Sequence, residues 1–291
     1  MPPSNPAKGD AAPAEAEAAM SVPELPAPPK AARRRGRWSR SWINVGRMLL
    51  FVIFIGAWQL AAKSGLVDPY FVSTPTAVAR FLGDYSTSGK LWVNLSVTLR
   101  ETLLGFVAGS AGGILVGLLL ARFPVVDALL DPFLTVINSL PRVALAPLFL
   151  LWFGLGMVSK VILAISLVFF ILVINTRVGV RNVDPDLVTV GKLLGAREHQ
   201  MFRSVILPAA LPSILAGLRL GVIYALLGTV VGEMIAAEAG IGQQLTYFSG
   251  TFQTAGVIAM LLILACIAAL LDALTVLAES RLLRWQAKGR M

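Results

Sequence analysis

The stretch Leu193–Pro212, "LLGAREHQMFRSVILPAALP", is a charged interruption in a chain that is otherwise apolar. Its polar residues Arg197, Glu198, His199, Gln200 and Arg203 are followed at once by renewed apolar sequence. A connection between two packed helices needs only a few residues, whereas about twenty are used here. The interruption is therefore longer than a turn requires, and the sequence around it decides the fold.

The composition is that of an integral membrane protein. Of the 291 residues, 56% are hydrophobic and only 14% are charged, and the mean hydropathy is +0.76. These values exclude a soluble domain with a wetted surface. The formal charge of +9 is interpreted through the placement of the basic residues along the chain rather than as a nucleic-acid footprint. The single cysteine, Cys266, excludes an intramolecular disulfide.

Residues 1–42 are predicted to form a disordered cytoplasmic tail. The segment is rich in Pro, Ala and Glu and lacks apolar periodicity, so it cannot bury enough surface to offset the entropy of ordering. It ends in "RRRGRWSRSW" (Arg33–Trp42), directly before the first hydrophobic span, where positive charge keeps a segment cytoplasmic. Binding of anionic lipid headgroups or nucleic acid is the alternative role of this arginine run.

Six membrane-spanning helices are predicted, because each crossing needs roughly 20 apolar residues. They are Ile43–Ala62, Leu95–Ala121, Ala128–Phe153, Val161–Val180, Ala209–Ala236 and Ala255–Leu277. The expected fold class is an all-α integral membrane protein with six transmembrane helices.

The distribution of Lys and Arg predicts the orientation. With the tail inside, the outer loops hold only Lys63, Arg80, Lys90 and Lys160. The inner segments hold the arginine run and Arg47, Arg122, Arg181, Lys192, Arg197, Arg203, Arg281, Arg284, Lys288 and Arg290. Both termini, including a short tail at 286–291, and the Leu193–Pro212 stretch are therefore predicted to be cytoplasmic.

The cytoplasmic segment 184–206 has a helical pattern. At about 100° per residue, one set of apolar residues gathers on one side: Leu187, Val190, Leu194, Met201 and Val205. Asp184 and Asp186 favour a helix start, and Gly195 a helix end. We expect a short amphipathic helix, a turn at Gly195 and a second short piece along the membrane surface. An inert loop is the alternative.

The segment also resembles a known signature. "LVTVGKLLGAREHQMFRSVILPAALPSILAGLRLG" is similar to the EAA-type motif of inner-membrane permease subunits of binding-protein-dependent ABC importers. Gly195 takes the glycine position, Val205 the isoleucine position, and Leu207 and Pro208 follow, while Thr189–Gly191 stands in place of Glu-Ala-Ala. The resemblance implies that these residues couple the chain to an ATPase: Thr189, Val190, Gly191, Gly195, Ala196, Arg197, Val205, Leu207 and Pro208.

Two further stretches resemble one branch of that family. "LPRVALAPLFLLWFGLGMVSK" (Leu140–Lys160) and "GEMIAAEAGIGQQL" (Gly232–Leu245) are similar to permeases for sulfonates, taurine, nitrate and related solutes. The resemblance implies a type I ABC importer permease fold over residues 43–285 in the cytoplasmic membrane of a bacterium. It also implies three partners besides lipid: a second permease copy, an ABC ATP-binding subunit and a periplasmic or lipid-anchored solute-binding protein.

The chain shows no catalytic motif of its own. It contains no G-x-x-x-x-G-K-[ST] phosphate loop, and one His and one Cys cannot build a zinc site. We therefore expect no catalytic residue, no metal and no bound cofactor, with ATP acting through the partner ATPase.

The third predicted span carries polar groups at membrane depth. Pro132, Pro141 and Pro147 interrupt it, and Asn138, Ser139 and Arg142 lie near its middle. A broken backbone and a charge are tolerated there only against protein or a water-filled cavity. We interpret Asn138, Ser139 and Arg142 as lining a translocation path in which Arg142 faces an anionic solute. The alternative is that Arg142 pairs with a structural carboxylate.

Other residues suggest close contacts between spans. Arg219 and Asp272 both lie roughly 15 Å deep at about 1.5 Å per residue, which predicts a structural ion pair. Glu233 and Glu238, near the outer end of the fifth span, either meet solute or binding protein or are solvated or cap a turn. Small residues recur every three or four positions on two spans: Gly105, Gly109, Gly113 and Gly117, and Gly217, Gly221, Ala225, Gly228 and Gly232. They favour close helix packing, or sliding of helices during transport.

Two other classes of protein remain open from the residues alone. An ion-coupled secondary transporter shares the broken helix and the buried charges, but it needs no long cytoplasmic insert. A membrane scaffold explains the tail and the spans, but not the polar residues at the midplane.

Overall fold

The computed structural model describes residues 40–65 and 69–283, and within these ranges every regular element is helical. The α-helices are α1 (Arg40–Lys63), α2 (Pro69–Val72), α3 (Pro75–Thr87), α4 (Lys90–Arg122), α5 (Pro124–Ser139), α6 (Ala146–Phe153), α7 (Met157–Arg181), α8 (Pro185–Leu193), α9 (Glu198–Met201), α10 (Leu207–Ile235), α11 (Ile241–Gly250) and α12 (Thr254–Leu282). A 3-10 turn (Arg142–Leu145) precedes α6, and a π-helical turn (Phe202–Ile206) joins α9 to α10.

The predicted tails fall almost wholly outside the described residues. Residues 1–39 and the predicted C-terminal tail 286–291 belong to the parts of the chain that the structure does not describe. The predicted boundary at residue 42 is slightly late, because α1 already begins at Arg40. A helix extends past its apolar part when its first residues are compatible with helical geometry, as Arg and Ser are.

Five helical stretches are long and apolar enough to cross a membrane, and they match five of the six predicted spans. The third predicted span is broken instead: Pro124–Ser139 and Arg142–Phe153 meet at an angle of 77°. Pro141 lies in the break and removes a backbone donor, while the residue before it, Leu140, is extended (φ −67°, ψ 135°) as a residue before proline prefers. By length and composition, the two halves together are sufficient for a sixth crossing.

The fifth span begins earlier than predicted. Glu198–Ile235 runs as one continuous helix, so the expected second piece along the membrane surface is in fact the first turns of this span. The π-helical turn lies immediately before Pro208. A proline cannot donate to the preceding turn and crowds the carbonyl four residues before it, and a widened turn accommodates both effects.

Helix α7 lies between α4 and α10, and small residues form both interfaces. A Cβ built on Gly105 would lie 2.5 Å from the Cβ of Ala164, and one built on Gly113 would lie 2.7 Å from that of Leu172. On the other side, a Cβ on Gly217 would lie 2.8 Å from the Cβ of Asn175. The predicted glycine stripes therefore allow the three backbones to approach more closely than any other residue permits.

At the far end of α10, the connection to α12 is mostly a helix, α11. Its apolar side packs on α3 and α12 through a shared core of Val78, Tyr85, Ile241, Leu245, Phe248, Ala259 and Met260. The ring of Phe248 meets Phe81 edge to face, with centroids 5.1 Å apart. The ten residues of α11 are too few to cross a membrane, so hydrophobic length alone does not reveal this helix.

Candidate functional site: the coupling segment and the broken span

The segment 184–206 is called the coupling segment below. Its first helix, α8, has the predicted start and end. Asp184 Oδ1 accepts a hydrogen bond from the backbone N–H of Asp186 at 2.9 Å, which caps the free amides of the first turn. At the other end Gly195 has φ +73°, and its N–H donates to the carbonyl of Lys192 at 3.0 Å. The predicted glycine turn is confirmed.

Helix α9 then folds back on α8. The Gln200 side chain accepts from the backbone N–H of Arg197 at 2.9 Å, and the buried Met201 inserts its methyl group against Gly191. A Cβ at Gly191 would overlap the Met201 side chain. The departure from Glu-Ala-Ala at this position therefore makes room for Met201.

The prediction of one apolar face along the segment is wrong, because α9 buries its apolar residue whereas α8 leaves its apolar residues exposed. Met201 is buried between α8 and α9, and Val205 is half-buried in the π-helical turn. By contrast, four apolar residues of α8 and its turn are open: Leu187 (51% exposed), Val190 (53%), Leu193 (82%) and Leu194 (81%). The Gly195 turn reverses the chain, so one continuous face cannot form.

The other residues of the signature divide between surface and interior. Thr189 and Arg197 are exposed, and the Thr189 hydroxyl donates to the carbonyl of Pro185 at 2.9 Å. The half-buried residues are Gly191, Ala196, Leu207 and Pro208. Some residues of the signature therefore pack inside the segment, and others form its exposed surface.

A cavity of about 260 Å³ separates the segment from the end of α4. Val188, Ala196, Met201 and Ile206 contribute apolar walls. Arg122, at the end of α4, closes one side through an ion pair with Glu198, whose Oε2 lies 2.5 Å from Arg122 Nη2. Both side chains are exposed, so the segment is held to the bundle mainly by the continuous α9–α10 backbone.

In the broken span, Asn138 and Ser139 end α5 and Arg142 begins the 3-10 turn. Arg142 Nη2 donates to the side chain of Asn138, and the guanidinium lies 4.2 Å from the centroid of the Phe170 ring on α7. Ser139 Oγ donates to the carbonyl of Thr135 at 2.9 Å. Within residues 40–65 and 69–283, no carboxylate lies within salt-bridge distance of Arg142.

The first half of α5 is tied to α7 by an ion cluster that sequence reasoning missed. Arg177 Nη2 lies 2.5 Å from Asp127 Oδ1 and 2.6 Å from Asp131 Oδ1, and Arg181 also contacts Asp127. Asp127 is only 2% exposed. The signal was present: two acidic residues four apart on one helix face two basic residues four apart on another.

Arg219 and Asp272 meet, as the depth argument predicts. Arg219 Nε lies 2.7 Å from Asp272 Oδ1 and Nη2 lies 3.2 Å from Oδ2, a two-point contact between α10 and α12. The two side chains are 46% and 34% exposed in the single chain.

Two expectations about the outer end need correction. Lys160 was assigned to an outer loop, but α7 begins at Met157 and buries Lys160 to 5% exposure, with Nζ 3.2 Å from Glu101 Oε1. Glu233 is neither solvated nor open to solute, since it is 1% exposed and accepts from the N–H of Gly242 at 2.7 Å. It holds the turn before α11, as one of the alternatives anticipated. Glu238 is exposed.

Residues 113–284 match the family of binding-protein-dependent transport system inner membrane components. The chain belongs to this family. Its members are the permease subunits of ABC importers, and the family as such implies a separate ATPase and a solute-binding protein. The chain is therefore a multi-pass permease subunit of an ABC importer, and an ion-coupled secondary transporter is excluded.

Two curated relatives cover nearly the whole permease. The chain is 36% identical to a permease assigned to aliphatic sulfonates transport in Bacillus subtilis, over 94% of this chain and 98% of the relative. It is 33% identical to the riboflavin transport system permease of Chloroflexus aurantiacus, over 87% of this chain and 93% of the relative. Among solved structures, the MetNI methionine ABC transporter superposes with a TM-score of 0.58 at 17% identity, covering 67% of this chain and 95% of that one, which shows a shared fold.

Proposed function

We propose that this permease imports a small anion, with Arg142 supplying the positive charge that the solute meets inside the membrane. The observation that carries the proposal is the position of Arg142: it lies in the break of the one bent span, half-buried and without a carboxylate partner in the described part of the chain. An unpaired guanidinium at membrane depth is costly, which marks it as a functional group.

The surroundings of Arg142 are suited to reversible binding of an anion. Phe170 supports one face of the guanidinium, and Asn138 occupies a terminal nitrogen, so the side chain is oriented before solute binds. A sulfonate or a similar oxyanion offers the several acceptor oxygens that a guanidinium binds well.

The names of the relatives do not by themselves specify the class of solute. The name of the Bacillus subtilis relative specifies aliphatic sulfonates, and that of the Chloroflexus aurantiacus relative specifies riboflavin. The proposal for this chain therefore rests on Arg142, with the sulfonate relative as support.

The test is uptake by the complex of this permease with its ATPase and binding protein in proteoliposomes. We expect Arg142→Gln to lower uptake of aliphatic sulfonates by about tenfold or more, which is the effect of losing one charge-assisted contact. Arg142→Lys, which keeps the charge, should retain part of the activity. Asn138→Ala, which frees Arg142 Nη2 but keeps the charge, should lower uptake less than Arg142→Gln does. Unchanged uptake of every anion tested by Arg142→Gln in an assembled complex would exclude the path role.

We propose that the ATPase binds the exposed apolar patch at the end of α8. This patch is formed by Leu187, Val190, Leu193 and Leu194. Four open apolar side chains in a segment flanked by charges are typical of a surface covered by another protein. We expect Leu194→Asp to weaken binding of the ATPase by about tenfold, since a desolvated contact near an interface centre contributes on that scale. His199→Ser, an exposed polar change in the same segment, is the control, and equal ATPase binding by both variants would contradict the assignment.

We further propose that two copies of the permease associate, with both termini cytoplasmic in a bacterial inner membrane. Arg219 and Asp272 support the pairing, because a charge pair left 46% and 34% exposed would face hydrocarbon in a lone chain. Two differently tagged copies should co-purify from membranes, and recovery of single copies only would exclude the dimer. The chain itself binds no cofactor in this mechanism, and ATP acts on it only through movement of the coupling segment.

A further inference from the structure

Five polar side chains are buried together at the end of the bundle that is farthest from the coupling segment. This distal cluster consists of Asn94, Thr98 and Glu101 on α4, Lys160 on α7 and Glu233 on α10. Helix α10 has 29 residues, so the cluster lies roughly 40 Å from the coupling segment at about 1.5 Å per residue. Each side chain is at most 7% exposed. Buried polar groups on this scale persist only when partners satisfy them.

The partners are the backbone amides of the N-cap residue of α11, Gly240, and of the first two residues of α11. Gly240 N donates to Asn94 Oδ1 at 2.8 Å, Ile241 N to Thr98 Oγ1 at 2.9 Å, and Gly242 N to Glu233 Oε2 at 2.7 Å. No side chain of α11 or of its own N-cap provides such a bond. Two other helices therefore cap α11, so its start is fixed relative to α4 and α10.

The same side chains are bonded to one another and to α7. Thr98 Oγ1 donates to Glu233 Oε1 at 2.7 Å, and Lys160 Nζ contacts Glu101 at 3.2 Å. The Lys160 stem packs beside Gly232, where an added Cβ would lie 3.0 Å from its Cγ. The three central spans thus share one polar network, and a shift of any one of them changes the acceptors that α11 meets.

Helix α11 in turn forms one wall of an open cavity of about 560 Å³. Gln243, Gln244 and Tyr247 come from α11, and Asp84 and Lys90 from the opposite wall. The position of α11 therefore sets the shape of this surface.

We propose that Asn94, Thr98 and Glu233 are positioning residues of the transport cycle: they transmit the arrangement of the central spans to α11 and so set how well its surface receives the binding protein. The inference rests on the proposed function: with the ATPase at the coupling segment, the opposite end of the bundle is the end left for the solute-binding protein.

The decisive variant is Thr98→Val, which keeps the shape of the side chain and removes its bonds to Ile241 and Glu233. Thr102→Val is the matched control, since Thr102 lies one turn further along α4, is 3% exposed and has a hydroxyl without a hydrogen-bond partner. Thr98→Ser restores the hydroxyl and serves as rescue.

Two quantities are measured on the permease–ATPase complex: amide hydrogen exchange of residues 240–242, and ATP hydrolysis as a function of binding-protein concentration. In Thr98→Val we expect about tenfold faster exchange and an about tenfold higher half-maximal concentration of binding protein, the scale of one lost buried hydrogen bond. Basal and maximal hydrolysis rates stay unchanged. Thr102→Val and Thr98→Ser behave as the unaltered protein.

The other outcomes overturn the proposal. Exchange equal to that of Thr102→Val shows that Thr98 does not hold α11. Faster exchange with an unchanged half-maximal concentration shows that the position of α11 does not affect the binding protein. A loss of basal hydrolysis in Thr98→Val alone shows general structural support instead of positioning. If binding protein fails to stimulate even the unaltered complex, the proposed function fails, while the exchange measurement still decides whether Thr98 caps α11.

Discussion

The turns before and after the long Glu198–Ile235 helix are both built on a glycine with positive φ, in opposite surroundings. At Gly195, φ is +73° and an added Cβ would meet nothing within 4 Å. At Gly240, φ is +121° and an added Cβ would overlap the carboxyl group of Glu233. The first turn carries open leucines and exposed charges, and the second is surrounded by buried polar side chains that satisfy its amides.

The comparison indicates which end of the Glu198–Ile235 helix has side chains that only another protein can cover. Leu193 and Leu194 are more than four-fifths exposed, so in the proposed function the contacts that cover them come from the ATPase. Glu101, Lys160 and Glu233 each contact a partner within the chain, so the opposite end is defined without another protein. A substitution in the coupling segment should therefore change coupling to the ATPase, whereas removal of a buried charge at the opposite end should change stability.

The largest effect is expected for Lys160→Met. Removing the ammonium leaves Glu101 buried and unpaired, which should lower the free energy of unfolding by about 3–5 kcal/mol. The thermal midpoint of the purified permease measures the loss. The double variant Lys160→Met/Glu101→Leu should recover most of it, because Glu101 is then no longer a buried carboxylate without its ammonium partner. A double variant as unstable as the single one would show that packing, not charge, dominates this end.

Gly240→Ala compared with Gly195→Ala tests the two turns directly. Positive φ strains both variants by about 1–2 kcal/mol, but only the Gly240 variant also overlaps Glu233, which adds about 1–3 kcal/mol. We therefore expect a clearly larger drop in thermal midpoint for Gly240→Ala. Equal drops would mean that the crowding at Gly240 is relieved by movement of the Glu233 side chain.

Gly195→Asp probes function at the open turn. Asp tolerates positive φ better than most residues and has free space here, so insertion and folding should be retained. A new charge beside Leu193 and Leu194 should reduce solute-stimulated ATP hydrolysis by about tenfold or more. Normal stimulation with normal transport would contradict the role of the coupling segment.

The smallest effect is expected for Arg122→Gln. Its ion pair with Glu198 joins side chains that are 52% and 83% exposed, and such surface pairs contribute about 1 kcal/mol or less. The thermal midpoint should shift little, in contrast to Lys160→Met. A large shift would show that this pair, rather than the continuous helix, holds the coupling segment to the bundle.

The sequence predicted the parts of the molecule that depend on local pattern. Hydrophobic length located five spans that the structure contains as single helices, and Pro141 located the break in the other. Asp184 and Gly195 located the ends of α8. The Arg219–Asp272 contact could be anticipated because helix rise converts sequence position into depth.

Other features depended on contacts between segments far apart in the chain. Lys160 appeared to belong to a loop because its partner, Glu101, lies 59 residues away on another helix. The amides of α11 are satisfied by Asn94 and Thr98, more than 140 residues earlier. No periodicity within one helix encodes such pairs.

The amino-acid sequence is sufficient to establish that this chain crosses a membrane several times and carries a polar segment with the signature of an ABC importer permease, because hydrocarbon thickness, backbone hydrogen bonding and turn chemistry act over a few neighbouring residues. Only the tertiary structure decided which charges are buried, which leucines are open and which side chains hold α11. Those outcomes depend on which faces of distant helices meet, and glycine stripes on α4 and α10 set that meeting by how closely they let α7 approach.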